Sequence, residues 1–470
     1  MVNAMASFLV VLVVTVIFMF IYSLRPIADT TRRRPLPPGP RTLPIIGSFH
    51  AVAWSRPHRS LARLAERHGP LMSIWVGRFP TVVVSTPDAA REVLRNADLA
   101  GRTVLDAWRA EGHADNSVIF FPPRDKWRAL RRLATTELLA KARLDAPRRQ
   151  QLLRREKARE MVRHVSERAA RGEAVDVGHA VFATAMGLMT CTFFSVDLAT
   201  HELRDMVKAA SRLAAKPTVS DIFPAVAAAD LQGARRKMGA LIRHGCRIID
   251  QQFMRRRRER NAGEGSRNDM MDTKEQEWKE TGSPLNYEAV RGLFLDFFVA
   301  GTESASCTVE WAMAELLRHP ESMRKVKEEL KTVIGTKNEL EESDISKLPY
   351  LQAVVKETLR LHPAVSLSFY RAMDTTQVQG YTIPKGSNIV LNIWAIHRKA
   401  DVWTDPNEFV PERFIGKDIS FWGRRICLGL PLAHRMVHLM LGSLLYHFDW
   451  TLPAEVKENG IDITEKFGIV

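Results

Sequence analysis

The segment Gly423-Arg424-Arg425-Ile426-Cys427-Leu428-Gly429 gathers glycines, arginines and one cysteine just ahead of a helical pattern. That combination suits a thiolate that binds a metal. Backbone N–H groups at a helix start, together with nearby cations, lower a thiol's pKa. Glycines permit the tight turns that aim those N–H groups at sulfur. Arg425, two places before the cysteine, suits a planar, charge-assisted fork onto an anionic group. Taken alone, Cys427 is more plainly read as a buried structural cysteine.

Three other constellations accompany it. Glu357-Thr358-Leu359-Arg360 sets a carboxylate and a guanidinium three apart on one helix face, where an exposed ion pair is the ordinary outcome. Leu361-His362-Pro363 follows directly, and Pro411-Glu412-Arg413-Phe414 lies shortly before Cys427. In Ala300-Gly301-Thr302-Glu303-Ser304, Ala300 and Ser304 are one turn apart with Glu303 beside them. The small residues leave room for a flat group and dioxygen, and the acid and hydroxyl can pass protons. A close helix–helix contact asks for the same small residues. Trp127 and Arg128, with Arg131 one turn beyond the tryptophan, stand among Arg124, Lys126 and Arg132. By themselves they read as an ordinary basic amphipathic helix.

The elements that must hold these residues are mostly helical. From Asp88 to about His319 apolar residues recur three and four apart. The exception is Arg255 to Pro284, which opens with four arginines, turns polar and is expected to be a surface linker. Leu293 to Leu317 is expected as one long helix stopped near Pro320, followed by helices at Glu321–Ile334, Tyr350–Leu361 and Pro431–Tyr446. Strands are expected at Leu71–Val76 and Thr81–Ser85, a hairpin broken at Gly77 to Pro80, and as short pieces within Gln377–Leu391. No internal repeat is present. Residues 42–470 are expected to form one intertwined domain, mainly α with a minor β part.

The N-terminus carries an address. Val2 to Leu24 has no charged side chain, and about 20 apolar residues span a bilayer as a helix. Positive charge follows it, at Arg25, Arg32, Arg33, Arg34 and Arg41, so an uncleaved signal-anchor with the bulk of the chain in the cytosol is expected. Residues 25–41, with Pro35-Leu36-Pro37-Pro38-Gly39-Pro40, cannot be helix or central strand and read as a stiff spacer. The 470-residue chain is 46% hydrophobic, which allows a large core. A net charge of +15 would suit nucleic acid, but no nucleic-acid-binding motif accompanies it, so a lipid surface or acidic partner is the better reading. Four cysteines without a CxxC pair exclude a disulfide framework, and no disulfide partners are expected.

The order of Trp127, Ala300–Ser304, Glu357/Arg360, Pro411–Phe414 and Gly423–Gly429 resembles the cytochrome P450 superfamily from the anchor to the chain's end. The resemblance implies that family's fold behind a single N-terminal transmembrane helix. It implies haem b (iron protoporphyrin IX), with Cys427 as the iron's axial ligand and Trp127, Arg128, Arg371, Arg425 and Gly301 against the cofactor. Glu303 and Ser304 become the proton-delivering pair, and Glu357, Arg360 and Arg413 a structural triad behind the cysteine segment. The implied pocket draws on Ile119, Phe121, Phe297, Ala300, Val365, Leu367 and Phe467, each of which reads equally well as ordinary core. Leu36–Pro40, Thr308–Met313 and Phe467–Ile469 are similar to plant microsomal members near the geraniol hydroxylases. That implies a small apolar substrate such as a terpenoid, O2, electrons from an NADPH-dependent cytochrome P450 reductase, and a single-pass protein of the endoplasmic reticulum membrane.

Several positions depart from the family pattern. Phe421 stands one place nearer Gly423 than usual, and the stretch from Phe414 to Cys427 is short beside plant relatives. Ser304 replaces the usual threonine, and Ala305 a second hydroxyl residue. The chain stops at Val470, where relatives usually add another strand, which fits an alternative or incomplete gene product as well as an unusual but active enzyme. Two other readings therefore stay open: a membrane-bound binding protein that does not load haem, and a haem protein that isomerises or dehydrates peroxides.

Overall fold

Val82-Val83-Val84 and Ile389-Val390-Leu391 are apolar without alternation, as strands buried on both faces require. The computed structural model, which describes residues 15–16, 36–77, 79–145, 148–198, 200–214, 216–263, 285–417 and 424–465, places both runs in one sheet. The charge-free stretch 2–24 apart from residues 15–16, Arg25, Arg32, Arg33, Arg34, Phe421, Trp422, Gly423 and Phe467 lie outside the described residues. The chain divides into two compact units, each assembled from three stretches.

The first unit comprises described residues up to Thr103, Pro217–Gln232 and Leu367–Ile396. Its sheet has the order β1-β2-β6-β3, with β1 at Leu71–Val76, β2 at Phe79–Val84, β3 at Leu367–Arg371 and β6 at Asn388–Asn392. β1 and β2 form the expected hairpin, although β2 begins at Phe79. β2 and β6 run parallel, and β3 pairs antiparallel with β6 from Leu367↔Asn392 to Arg371↔Asn388. β4 at Thr376–Val378 and β5 at Tyr381–Ile383 form a separate ladder. Helices α1 at Pro57–His68 and α2 at Pro87–Arg95 each start with the proline that a first helical turn tolerates.

The proline-rich segment is not a free spacer at its C-terminal end. Pro38 accepts the Ser73 N–H at 2.8 Å and Pro37 accepts the Ser73 hydroxyl at 2.6 Å, which docks the segment on β1. A β-carbon at Gly39 would lie 1.8 Å from the Ser73 carbonyl oxygen. Only glycine allows that approach.

The second unit, Val104–Lys216, Gly233–Ser366 and His397–Val470, is helical. It contains α3 at Asp125–Arg132, α4 at Arg148–Ala170, α5 at Val177–Phe194, α6 at His201–Ala214 and α7 at Ala234–Asn261. They are followed by α8 at Tyr287–Arg318, α9 at Pro320–Ile334, α10 at Pro349–Leu361 and α11 at Leu430–His447. The 32-residue α8 is about 48 Å long and packs against α5, α6, α7, α9, α10 and α11. Asn286 caps it, accepting the Ala289 N–H at 3.1 Å, so it starts earlier than its apolar pattern alone indicates.

Among the described residues one helix, α5, is long and apolar enough to cross a membrane, yet 72% of it is buried in this unit. Phe193 and Phe194 pack against Phe294 and Phe298 of α8, so α5 is a core helix.

The linker expected from Arg255 begins later than its composition indicates. α7 continues to Asn261, with Arg255 and Arg256 both paired to Glu259. Arginine is a good helix former, and pairs three and four apart, with cations at the C-terminal end, sustain the last turns. Residues 264–284 are outside the described part.

Candidate active site

Four cysteines lie in the second unit, and they are not alike. Cys191 and Cys307 are buried, and desolvation pushes both thiols up to about 12. Cys246 is half-buried, and Cys427 alone is exposed. Cys427 lies just before α11, where the N–H groups of Gly429 and Leu430 donate to its sulfur. Protein crowds the sulfur even though the residue reaches solvent. Desolvation therefore raises its pKa, while the two N–H groups and Arg131 pull it back toward the thiolate.

The cations beside it frame an indole. Arg131 and Arg425 lie 5.2 and 4.9 Å from the centre of the Trp127 ring, each within cation–π range. Arg131 donates to the Ile426 carbonyl at 2.8 Å, next to the thiol. Arg425 donates to the carbonyls of Val118, Ile119 and Phe121. Trp127 is buried and gives its indole N–H to Val118 at 3.1 Å. Arg128 is placed elsewhere: it is exposed and paired with Asp125 at 2.6 Å. The arginine that α3 brings to the cysteine is Arg131, because four residues return to the same helix face and one does not.

α11 packs directly on α8, the helix of Ala300–Ser304. Within its long buried stretch, Ala300 is exposed and Ser304 half-buried, so this turn is open. Ser304 donates to the Ala300 carbonyl at 2.6 Å. Burial raises the pKa of Glu303; Lys208 and Arg212 of α6 oppose that and Glu310 adds to it. A β-carbon at Gly301 would lie 2.7 Å from the terminal methyl of Met189 on α5, a flexible side-chain end.

Glu357, Arg360 and Arg413 are brought together. The Arg360 fork donates to both Glu357 oxygens at 2.6 and 2.8 Å, with both side chains buried. Arg413 adds a contact at 3.3 Å and the Val410 N–H one at 2.8 Å. The remaining Arg360 hydrogens go to the carbonyls of His397, Pro406 and Glu408. Nearby, His362 stacks on Trp311 at 3.9 Å and pairs with buried Glu315 at 2.7 Å.

The residues expected to line a pocket are less uniform. Phe121 is buried, Ile119 is half-buried and Val365 is exposed. Phe297 stacks on Phe193 at 5.3 Å as core. Leu367 and Arg371 are on β3 of the first unit, where Leu367 is buried and the Arg371 N–H donates to Gly101 at 3.1 Å.

A separate cleft of roughly 480 Å3 between α7, α8 and the stretch Asp106–Asp115 is lined by charged groups, Arg243, Arg247, Asp250, Glu288 and Arg291 among them. Among the described residues, none of those expected to line a pocket lines this cleft.

Sequence reasoning missed one cluster. Asp296 is a lone acid within the apolar run Leu293–Val299, and it is 3% exposed. It is met by His113 at 3.0 Å and by the Ser117 hydroxyl at 2.8 and 3.0 Å. An acid inside an apolar helical run was the available signal, since a buried carboxylate needs partners.

The cytochrome P450 family profile matches residues 37–470. The chain belongs to the cytochrome P450 family. Cytochrome P450 76C4 of Arabidopsis thaliana is 41% identical over 96% of this chain and 94% of its own length. Geraniol 8-hydroxylase of Catharanthus roseus is 40% identical over 93% and 92%. Geranylhydroquinone 3″-hydroxylase of Arnebia euchroma is 38% identical over 94% and 93%. This P450 thus falls in the plant branch that includes geraniol hydroxylases. A zebrafish cytochrome P450 solved with progesterone shares the fold, with a TM-score of 0.72 at 24% identity, over 83% of this chain and 92% of that one.

Membership implies haem iron held by a thiolate. The residues present fit that group. A thiol sits at a helix start with two N–H donors, a cation lies beside it, and α8, on which that helix packs, has an open small-residue turn.

Proposed function

We propose that this P450 hydroxylates a small apolar metabolite, a terpenoid, using O2 and electrons from an NADPH-dependent reductase. The observation that carries the reading is Cys427, the one cysteine of the four whose residue reaches solvent, placed at a helix start where two backbone N–H groups donate to its sulfur. The substrate class rests on the relatives named for geraniol and geranylhydroquinone hydroxylation.

Haem bound at Cys427 supplies the oxygen-activating chemistry, and the thiolate's electron donation favours O–O cleavage. The chain's own part is to hold and to deliver. The N–H groups of Gly429 and Leu430 and the Arg131 guanidinium favour the thiolate form of Cys427. In this reading Arg131, Arg425 and Trp127 would hold the cofactor's carboxylates and edge, and Arg128 and Arg371 stay as the further candidates that the resemblance implies. The Glu357–Arg360–Arg413 cluster fixes the segment leading to the cysteine.

At the open turn of α8, Glu303 holds a proton at its carboxyl to higher pH than an exposed acid would, because burial disfavours its charge. Ser304 passes it on by swinging its hydroxyl from the Ala300 carbonyl. Ile119, Phe121, Ala300, Val365, Leu367 and Phe467 are the residues that would exclude water around the substrate. Residues 2–24 anchor the chain in the endoplasmic reticulum membrane, 25–41 link it to the body, and 42–470 form the catalytic part in the cytosol.

The test is the spectrum of reduced, CO-treated full-length protein. A Soret band at the thiolate-ligated position, lost in Cys427→Ser, is expected. Haem-loaded protein without that band, or a Cys427→Ser variant that keeps it, would refute the assignment. Purified chain without haem would instead favour the binding-protein reading prompted by the short segment before Cys427.

A further inference from the structure

Asp296 is expensive to keep. A carboxylate inside an apolar helix face loses its hydration and must be repaid by hydrogen bonds. Asp296 lies four residues before Ala300 and eight before Ser304, so the three share a face of α8. Whatever Asp296 holds is therefore held beside the open Ala300–Ser304 turn.

What it holds is the stretch His113–Phe121. The Ser117 hydroxyl donates to Asp296, and the same hydroxyl accepts the N–H of Ile119 at 3.1 Å. The Phe120 and Phe121 N–H groups then close on the Ser117 carbonyl at 3.2 and 3.0 Å. One turn before Asp296, a β-carbon on Gly292 would lie 2.2 Å from the Asn116 carbonyl oxygen, so the backbone of this stretch is seated directly on α8. His113 supplies the third contact, at 3.0 Å. A continuous chain thus runs from the Asp296 carboxylate through the Ser117 hydroxyl to the Ile119 backbone.

We infer that Asp296, acting through Ser117 and His113, is a positioning residue for Ile119 and Phe121, and so sets which carbon of the substrate is presented for oxidation. The inference rests on the monooxygenase reading for its substrate-facing half. Its structural half, the placement of residues 117–121, stands apart from that reading. Asp296 does not touch the substrate; it determines where the residues that do are held.

The experiment uses full-length wild type, Asp296→Asn, Ser117→Ala and Ser117→Thr, each with reductase and geraniol as the probe. Haem content and the reduced-CO band are expected to match wild type in all three variants. Asp296→Asn and Ser117→Ala should raise the geraniol concentration at half-maximal spectral response by about two- to tenfold, the worth of one net hydrogen bond. They should also redistribute product among carbon positions, and Ser117→Thr, which keeps the hydroxyl, should restore the wild-type pattern. An unchanged product ratio and half-saturation, with only a lowered Tm, would overturn the inference by reducing Asp296 to a strut. Should Asp296→Asn fail to fold, Ser117→Ala decides alone. Should wild type lack the thiolate band, the monooxygenase reading falls, and amide hydrogen exchange at Ile119 and Phe121 decides the placement. Faster exchange in Ser117→Ala supports it, and unchanged exchange overturns it.

Discussion

Glu357 and Glu303 are both acids on helices of the same unit, and they are treated in opposite ways. Glu357 is saturated: two guanidinium groups and a backbone N–H take its oxygens, and the Arg360 fork spends its other hydrogens on three carbonyls. Glu303 feels only the charges of Lys208, Arg212 and Glu310 and, among the described residues, no hydrogen bond to its carboxyl accompanies its raised pKa. A carboxylate held by two guanidinium groups and a backbone N–H can fix segments in place but is poorly suited to proton traffic. One left unengaged near an open turn can exchange a proton, at a cost in stability.

The largest expected effect tests the saturated side. Arg360→Ala leaves Glu357 buried with its main partner gone, which should cost about 3–5 kcal/mol in chemical denaturation. Arg360→Lys should recover little of it, because an ammonium cannot reproduce the fork. A loss below about 1 kcal/mol, the worth of an exposed pair, would erase the contrast.

Next comes the unengaged side. Glu303→Gln should lower turnover by about a hundredfold if its carboxyl moves a proton, measured as product formed per reductase-supplied electron pair. Wild-type turnover should fall as pH rises through the raised pKa of Glu303, and this limb should vanish in the glutamine variant.

Stability gives a third, smaller effect of known sign. Because folding raises this pKa, the stabilising contribution of the neutral acid is complete below the unfolded-state value. It is lost as pH climbs through the folded one. Glu303→Gln should therefore equal or exceed wild type in Tm at neutral pH, and the difference should close on acidification below the ordinary carboxylate range. A Glu303→Gln variant that melts lower at neutral pH would place Glu303 with Glu357.

The smallest effect concerns α3. Arg128→Ala should change stability by no more than about 0.5 kcal/mol, as an exposed residue does. Arg131→Ala, beside the thiol, should weaken haem retention on dilution. Equal haem retention in the two variants would remove the distinction between them.

Much of this was legible in the order of motifs. The spacing of Glu357 and Arg360 put them on one helix face, where an exposed pair was the ordinary expectation; that Arg413 joins them was implied by the family resemblance alone. The choice between Arg128 and Arg131 was also written in helical periodicity, but a crowd of basic residues around Trp127 hid it. Other features depend on contacts far apart in sequence. Nothing near Ser117 or His113 announces that Asp296, well over a hundred residues later, will meet them. β3, Leu-Ser-Phe-Tyr-Arg, mixes polar and aromatic residues too irregularly to be read before β6 is beside it. The arginines at the end of α7 looked like linker because charge was weighed and pairing was not.

The docking of Pro37–Gly39 on β1 has a mechanical consequence. Tension arriving along the chain from residues before 36 is taken up at Ser73, through its N–H and its hydroxyl, and enters the first unit through its sheet. Sheet ladders resist such a load by many hydrogen bonds at once, whereas a frayed helix end gives way one bond at a time. Any pull on the segment before Pro37 would meet first the two Ser73 hydrogen bonds, in the unit that does not contain Cys427.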